Sequence, residues 1–367
     1  MNKMIVANLV HRPFRTIISV VAVAVEVTLI LLIVGLSIGM LNDSKNRQAG
    51  IGADVMVQPP NASLLMGVSG APVSIKLADR LRKVDHVVAV APVVAQLNTA
   101  GNVEVIDGID LQSFEAVGGP MRYLAGGPFQ GPDDILVDDY VAAAQKLKVG
   151  DTIETLNHNF RIAGIVDHGR GARKFLPIQT LQDIMGAQGK ASIFYIKLDD
   201  PNNADLVVKE IKSIPGMEQY GVRSLKEYLS LMTSSSIPGL STFINVVIGV
   251  SMVIGFIVIF QAMYAAVMER TREIGILKSL GAGKLYIVNV ILRETLLIAV
   301  GGIVVGVIVS YAARSALHHK FQTLPILISP DWLLRATIIA IIGSMLGAFY
   351  PALKAAQKDP IDALAYE

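Results

Sequence analysis

Long apolar runs alternate with ordinary mixed sequence along the 367-residue chain. Each of these runs holds about twenty residues or more, which at ~1.5 Å per helical residue is enough to cross a ~30 Å hydrocarbon core. They cover residues 17–41, 240–267, 285–313 and 332–350. The pattern predicts an α-helical membrane protein with four transmembrane helices.

The lysines and arginines beside these runs predict their orientation. They lie next to the two chain ends and in the stretch between the second and third runs: Lys3, Arg12, Arg15, Arg270, Arg272, Lys278, Lys284, Lys354 and Lys358. Basic residues favour the cytoplasmic side. The first run exceeds the ~7–15 residues of a signal-peptide core, so it is expected to stay as an anchor. We therefore expect a protein of the cytoplasmic (inner) membrane, with residues 1–16, 268–284 and 351–367 on the cytoplasmic side and the loop 314–331 outside.

Residues 42–239 have the pattern of a folded domain rather than of a membrane segment. β-branched runs over 86–98 and 102–110 predict strands, and the alternation over 149–169 predicts a strand–turn–strand unit. Helices are predicted over 75–84, 139–147, 178–185 and 204–213, with helical stalks at both ends of the segment. The expected fold class is a large mixed α+β extracytoplasmic domain inserted between helices 1 and 2.

The composition excludes several classes of function. Only 17% of the residues are charged, against ~25% in soluble proteins. The net charge of +2, without a basic block, gives no reason to expect nucleic-acid binding. Cysteine is absent, so disulfides and thiol chemistry are excluded. The membrane itself is therefore the first partner that the composition predicts.

No catalytic or metal-binding set stands out in the sequence. His86, His158 and His168 are isolated, without a carboxylate at ligand spacing. The pairs Asp133–Asp134 and Asp138–Asp139 flank a short apolar run and are interpreted as exposed strand ends, and His318–His319 as a solvated loop. We therefore expect no metal site and no enzyme active site on this chain.

Each predicted span carries two small residues four positions apart, a spacing that lets helix backbones approach closely. These pairs are Gly35 and Gly39, Ser251 and Gly255, Gly302 and Gly306, and Gly343 and Gly347. Glycine is also frequent in membrane helices for no specific reason. Because every span has such a pair, a tight bundle is favoured.

Glu26 is an unusual residue for a membrane span, because an ionised carboxylate about 13 Å deep is costly. It could act as a proton relay or as a contact at a dimer interface. The favoured interpretation is a neutral carboxyl hydrogen-bonded to a neighbouring helix, such as the one that holds Asn245 or Gln261. Arg293 and Glu294 in the third span are expected to pair locally or to reach the membrane edge.

The charged stretch between the second and third spans predicts a short helix over Glu269–Leu280 that ends at Gly281, which can adopt a left-handed backbone. A solvated connecting loop is the alternative. A plain loop could be wholly polar, whereas this one keeps several apolar residues, each worth about 1.5–3 kcal/mol when buried. They are Ile274, Ile276, Leu277 and Leu280. The pattern favours a docking surface for another protein.

Several motifs together resemble the FtsX/MacB-type ABC transporter permeases, over the whole chain. "REIGILKSLGAGK" followed by "RETLLIAVGG" is similar to the cytoplasmic signature of that family, and "YPALKAAQKDPIDALAYE" to its ending. "GADVMVQPP" and "LKVGDTIETLNHNFRIAGIV" resemble segments of its periplasmic domain. The resemblance implies a MacB-like periplasmic core domain and an FtsX-like transmembrane region.

The resemblance implies a permease subunit that pairs with a second copy or a paralogue, and a cytosolic ABC ATPase that binds ATP and Mg and docks on the short helix. Motion of the external domain would drive export or extraction of a hydrophobic substrate: a lipid, lipoprotein, peptide or drug. An adaptor in the periplasm or outer membrane is a further partner. The alternative is a non-transporting mechanotransmission complex that regulates a partner such as a cell-wall hydrolase. A membrane-anchored enzyme or sensor is disfavoured, because no catalytic set is found.

The implied coupling residues are Glu269, Arg270, Arg272, Glu273, Ile274, Gly275, Leu277, Lys278, Leu280 and the hinge Gly281. A P-loop requires G-x-x-x-x-G-K-[ST], and the nearest string, "GAGKL", lacks the first glycine at the right spacing and the Ser/Thr. We therefore expect no cofactor on this chain and an ATPase on a separate one.

Overall fold

The computed structural model describes residues 13–62, 71–99, 104–237, 239–321 and 323–358, without the side chain of Lys320. The predicted cytoplasmic residues 1–12 and 359–367 lie outside these ranges. The described chain divides into two compact units. The helical unit holds residues up to 39, 239–319 and from 326 onward, and the α+β unit holds 40–238 and 320–325.

The first helix, α1, runs without interruption over Pro13–Gly50. It therefore extends nine residues beyond the end of the predicted span at Leu41, as expected for a helical stalk. Its apolar residues up to Val34 belong to the helical unit, where Val23, Val27 and Ile30 are fully buried. Its last turns belong to the α+β unit.

The α+β unit follows α1 in the chain and combines short helices with strands. The strands are β1 (Val55–Gln58), β2 (Val73–Ser74), β3 (Val87–Asn98), β4 (Glu104–Ile109), β5 (Tyr123–Gly126), β6 (Asp134–Asp138), β7 (Thr152–Thr155), β8 (His158–Val166), β9 (Lys174–Pro177), β10 (Lys190–Ala191), β11 (Ile193–Leu198) and β12 (Gly221–Ser224). The helices are α2 (Leu77–Leu81), α3 (Leu111–Gly118), α4 (Asp139–Gln145), α5 (Ile178–Ile184), α6 (Ala204–Ser213) and α7 (Leu225–Leu231). Of these, α3 was not predicted.

Among the described residues of this unit, ten strands form one mixed sheet. Its order is β12-β1-β11-β3-β4-β9-β6-β8-β5, with β7 added on β8, and β2 and β10 form a separate pair. The pairs β4–β9 and β6–β8 are parallel, and the others are antiparallel. The mixed α/β architecture predicted from the sequence is confirmed.

Strand β3 shows why the sequence forms a sheet that is buried on both faces. Because successive side chains of a strand point to opposite faces, Ala91, Val93 and Ala95 belong to the apolar cluster that also holds Phe114 of α3. Val90 and Val94 lie in the clusters formed with helices α2, α4, α5 and α6. Helices therefore cover the sheet on both sides.

The predicted stalk before the second span is instead part of the domain. Leu225 and Tyr228 of α7 are buried in the same cluster as β3, together with Met232. Ser224 caps this helix by accepting a hydrogen bond from the Glu227 amide at 3.2 Å. Apolar residues at this helical spacing bury one face, so this segment packs into the domain and the chain turns before the next long helix.

The helical unit continues with α8 (Leu240–Glu269), α9 (Thr271–Ser279), α10 (Lys284–Lys320) and α11 (Pro330–Gln357). Of the described helices, α1, α8, α10 and α11 are long and apolar enough to cross a membrane, as the four apolar runs predict. Each extends beyond its predicted span. The predicted loop 314–331 is correspondingly shorter, and His318 and His319 are exposed in the last turn of α10 rather than in a loop.

The small residues of the long helices lie where helices approach closely. A Cβ added at Gly302 would come within 2.5 Å of the Val23 Cβ, and one at Gly306 within 2.8 Å of the Ala24 carbonyl oxygen. One added at Gly347 would lie 2.8 Å from the Phe256 carbonyl oxygen. Helix α10 thus packs against α1 and α11 against α8. The remaining members are also buried: Gly35, Gly39, Ser251, Gly255 and Gly343.

Candidate functional site

The short helix α9 lies between the long helices α8 and α10 and is shorter than predicted. Glu269 is the last residue of α8, and Arg270 separates the two helices. The hydroxyl of Thr271 donates to the carbonyl oxygens of Val267 at 3.2 Å and Met268 at 2.9 Å. The predicted start at Glu269 is therefore wrong, because the apolar helix α8 continues through that residue.

The end of α9 follows the predicted chemistry. The helix ends at Ser279, one residue before the predicted end, and Gly281 has a φ of +97°. Only glycine adopts this conformation without strain, so Gly281 allows the chain to turn toward α10.

A buried carboxylate connects α9 to the long helices. Arg270 donates to Glu294 Oε1 of α10 at 2.6 Å, and Arg15 of α1 donates to the same oxygen at 3.4 Å. Arg15 also donates to Glu269 at 3.5 Å. Glu294 is 1% exposed. These four residues, the Glu294 cluster, join the beginning of α1, the junction of α8 and α9, and the body of α10.

This arrangement corrects the prediction for Arg293 and Glu294. Arg293 donates to Asn289 on its own helix at 3.1 Å, whereas Glu294 binds arginines that are 24 and 279 residues away in the chain. Arg15 was not predicted as a site residue. The signal that could have found the cluster is a glutamate within an apolar helix, because such a buried charge requires a cationic partner.

A cavity of about 300 Å³ lies beneath α9, between α8 and α10. Its wall is mostly apolar and also includes Arg270 and Glu294. The full lining is Met263, Ala266, Val267, Arg270, Glu273, Ile274, Ile276, Leu277, Ile287, Val290, Ile291 and Glu294. The exposed residues Glu273 and Ile276 belong to this lining, so the cavity opens to the surface beside α9.

The predicted coupling residues divide into two faces of α9. Ile274 and Leu277 pack against the apolar core of the helical unit, and Thr271 and Gly275 are buried. Lys278 donates to the carbonyl oxygen of Ala356 at 3.0 Å and to that of Lys358. Together with Arg270, these side chains connect α9 to its own unit rather than to the outside.

The exposed face of α9 mixes charged and apolar side chains. Arg272, Glu273, Ile276, Ser279, Leu280 and Gly281 are exposed. Leu280 is 79% exposed, and Leu285 at the start of α10 is 85% exposed. Ile276 belongs to this face; it was predicted among the apolar residues of a docking surface but not among the implied coupling residues.

Glu26 lies inside the helical unit and is 2% exposed. Neither of its carboxyl oxygens has a hydrogen-bond partner among the described residues. Asn245 and Gln261 are exposed. The predicted hydrogen bond to a neighbouring helix is therefore wrong, because the two candidate partners are exposed and the carboxyl is buried.

The end of α1 is held by an ion-pair network within the α+β unit. Arg173 donates to Asp43 of α1 and to Asp138 of β6, each at 3.0 Å. Arg47 of α1 donates to the Gly171 carbonyl oxygen at 2.7 Å. Burial raises the pKa of the nearby Asp107 to about 7, although the charge of Arg47 and a backbone hydrogen bond from Ala172 oppose this shift.

The histidines of the α+β unit are paired, contrary to the sequence prediction. His86 lies 2.9 Å from Asp199, His158 lies 2.9 Å from Asp133, and His168 lies 3.0 Å from Asp139. These partners lie 113, 25 and 29 residues apart in the chain, so sequence spacing could not reveal them.

Two of the aspartates interpreted as exposed strand ends are in fact buried. Asp134 accepts hydrogen bonds from the amides of Gln130 at 2.6 Å and Gly131 at 2.9 Å and pairs with Arg161. Asp138 caps α4 and pairs with Arg173. Both side chains therefore stabilise turns and helix ends.

One group in the described residues has the composition of a metal site. The ligand atoms of Asp139, Asp167 and His168 lie within 4.8 Å of one another. Arg122 already pairs with Asp167 at 3.1 Å, and the His168 ring stacks on Tyr140 at 4.0 Å. The group is satisfied by these contacts, and the expectation that the chain binds no metal stays a prediction.

The described chain has four long apolar helices, with a large α+β unit between the first two in the chain and a short amphipathic helix between the next two. Comparison with known families identifies the class of protein that has this organisation. Residues 16–214 match the MacB-like periplasmic core domain, and residues 245–360 match the FtsX-like permease C-terminal region. The chain belongs to the FtsX/MacB-type ABC transporter permease family.

The relatives of this chain are permeases by name. It is 26% identical over 236 residues to an uncharacterized ABC transporter permease of Methanocaldococcus jannaschii, covering 61% of this chain and 59% of that protein. It is 24% identical over 388 residues to a macrolide export ATP-binding/permease protein MacB of a Shewanella species, covering 97% of this chain and 59% of that protein. The chain thus spans about three fifths of the length of these relatives.

A solved structure is also similar to part of this chain. It is the crystal structure of the periplasmic region of MacB from Actinobacillus actinomycetemcomitans, with 17% sequence identity. The match covers 50% of this chain and 94% of that chain, with a TM-score of 0.38.

Proposed function

We propose that this chain is the transmembrane subunit of an ATP-driven transporter in which α9 receives the motion of a cytosolic ATPase on a separate chain. The observation that carries the proposal is the two-sided character of α9. One side connects to three long helices through the Glu294 cluster, and the other exposes Arg272, Glu273, Ile276 and Leu280. A surface of this mixed composition suits a protein partner.

The contacts suggest how motion of α9 would reach the rest of the chain. A force on α9 moves Arg270, which holds Glu294 of α10 at 2.6 Å, and Glu294 in turn holds Arg15 of α1. Helix α1 continues without a break to Gly50. Because a helix is stiff along its axis, displacement at Arg15 would be passed to the domain that follows.

The orientation and assembly belong to the same proposal. Both termini and α9 lie on the cytoplasmic side of the inner membrane, because basic residues in short segments favour that side. The α+β unit lies on the extracytoplasmic side. Two permease subunits, identical or paralogous, form the transporter. The ATPase chains bind ATP and Mg.

The substrate class follows from the kind of membrane protein that this chain resembles. A permease related to a macrolide export protein is expected to export or extract a hydrophobic molecule: a lipid, lipoprotein, peptide or drug. The same mechanics would equally serve a complex that regulates an extracytoplasmic hydrolase without transport. Deletion of the gene distinguishes these two functions. Loss of efflux would indicate transport, and loss of hydrolase activation would indicate regulation without transport.

Co-purification tests the docking face of α9. The chain is purified in detergent with the ATPase encoded beside its gene, as the wild type and as Leu280→Asp and Glu273→Lys. We expect both variants to lose the ATPase while remaining monodisperse. Leu124→Asp is the matched control, because Leu124 is 49% exposed in the α+β unit. Unchanged capture by Leu280→Asp and Glu273→Lys would show that α9 is a connecting segment and that the partner binds elsewhere.

A further inference from the structure

The carboxyl group of Glu26 is the one buried ionisable group of the described membrane helices that the coupling mechanism does not use. Its side chain is 2% exposed, and both carboxyl oxygens lack a hydrogen-bond partner among the described residues. The hydroxyl of Ser344 on α11 is likewise buried and has no such partner. An ionised carboxylate without a partner in this setting is strongly disfavoured. Glu26 is therefore a neutral acid in this arrangement.

Glycines on two other helices create the space that the carboxyl occupies. A Cβ added at Gly255 of α8 would lie 2.0 Å from Glu26 Oε2, and one added at Gly343 of α11 would lie 3.7 Å from Oε1. The carboxyl therefore fills a cradle between α1, α8 and α11. Any side chain larger than hydrogen at Gly255 would displace it.

No charge compensates Glu26 from the helices packed around it. Counted along the helix axes at ~1.5 Å per residue, the nearest ionisable residues of α1, α8, α10 and α11 lie about 8 Å or more above or below the position of Glu26. On these helices they are Arg15, Asp43, Tyr264, Glu294, Tyr311, Arg335 and Tyr350. Arg15 pairs with Glu294, Arg335 lies over the Trp332 ring, and Tyr311 and Tyr350 are exposed.

We propose that Glu26 is a proton-binding site in the helix bundle, occupied while α1 is packed against Gly255 and Gly343 and emptied to water when these helices separate. Opening of the cradle hydrates the carboxyl, which then ionises as an ordinary glutamate does. One proton is released to water at each opening and taken up again at each closing. The packed arrangement is thus favoured at low pH, independently of which substrate or ATPase the chain serves.

Carbodiimide labelling tests the protonated state in the wild-type chain. The full chain in lipid nanodiscs at neutral pH is treated either with dicyclohexylcarbodiimide, which reaches protonated carboxyls from the apolar phase, or with a water-soluble carbodiimide. Mass spectrometry then locates the adducts. We expect the apolar reagent to modify Glu26 faster than the water-soluble reagent, which reaches the carboxyl only while the cradle is open. Equal or faster modification by the water-soluble reagent, or no modification by the apolar reagent, would overturn the proposal.

A second experiment tests proton release. The chain contains no cysteine, so Ser344→Cys introduces one thiol next to the cradle at Gly343. Its rate of modification by a water-soluble maleimide is compared at each pH between chains with Glu26 and with Glu26→Gln. Because both chains carry the same thiol, the rate with Glu26 divided by the rate with Glu26→Gln reports the ionisation of the carboxyl. We expect this ratio to rise by up to about tenfold for each unit of increasing pH if one proton is released. A ratio that does not change with pH would refute proton release.

Discussion

Arg270, at the junction of α8 and α9, donates to Glu294 Oε1 in the first third of α10 at 2.6 Å. Glu294 is 1% exposed, and its other cationic partner is Arg15 at the start of α1. A buried carboxylate held by two arginines fixes three segments of the helical unit in one geometry. The strength of this link determines whether α9 moves with the long helices or independently of them.

Glu294→Gln is predicted to destabilise the helical unit by about 3 kcal/mol, because removing one partner of a buried ion pair leaves the other charges uncompensated. Thermal unfolding of the detergent-solubilised chain measures this change. Glu269→Gln is the matched control. Its pair with Arg15 spans 3.5 Å and its side chain is 49% exposed, so we expect a change of about 0–1 kcal/mol. Equal effects of the two substitutions would show that Glu294 has no special role.

Gly302→Ala is predicted to destabilise the chain by about 1–3 kcal/mol through overpacking. A Cβ at this position would lie 2.5 Å from the Val23 Cβ, so α10 must move away from α1. Gly249→Ala is the control on α8, because no atom lies within 4 Å of its added Cβ. Melting temperatures of both variants in the same detergent test the prediction. Unchanged stability of Gly302→Ala would contradict the close approach of the two helices.

The sequence predicted the parts of this structure that depend on local pattern. The four apolar helices, the mixed sheet and the left-handed turn at Gly281 follow from hydrophobic runs, alternation and glycine chemistry. The start of α9 was misplaced because no glycine or proline separates α8 from α9. The junction is the non-helical backbone of Arg270, followed by the hydrogen bonds of the Thr271 hydroxyl.

Contacts between distant residues could not be predicted in the same way. Arg15 and Glu294 are 279 residues apart in the chain, and His86 and Asp199 are 113 residues apart. Their pairing depends on how helices and strands pack, which a single sequence does not specify. The unpartnered state of Glu26 is of the same kind, because the sequence places Asn245 and Gln261 on α8 but does not show that both are exposed.

Asp107 predicts a specific pH dependence of the α+β unit. Burial raises its pKa in the folded chain to about 7, against about 3.9 in the unfolded chain. The folded state therefore binds the proton more tightly, so this contribution to stability is complete below about pH 4 and is lost as the pH rises through 7. Asp107→Asn removes that dependence, and the variant should gain stability relative to the wild type by up to roughly 4 kcal/mol between these limits.

Thermal unfolding of the full chain from pH 4 to pH 8, wild type beside Asp107→Asn, measures this difference. Asp205→Asn serves as the matched control at an exposed position, because Asp205 is exposed on α6. A difference between Asp107→Asn and the wild type that stays constant over this range would rule out the predicted titration.

Arg173→Met is predicted to destabilise the α+β unit by about 3 kcal/mol near neutral pH, because it leaves the buried Asp138 carboxylate without its cation. The loss should shrink as the pH falls, since burial raises the pKa of Asp138 even with Arg173 present, and a protonated carboxyl no longer requires the guanidinium. Arg122→Met is the matched control, because Arg122 is 77% exposed in its pair with Asp167 and should cost about 0–1 kcal/mol. Chemical unfolding at pH 5 and pH 8 measures both variants. A loss from Arg173→Met that is equal at the two pH values would mean that the arginine acts through its pair with Asp43 or through packing, and that Asp138 does not carry the effect.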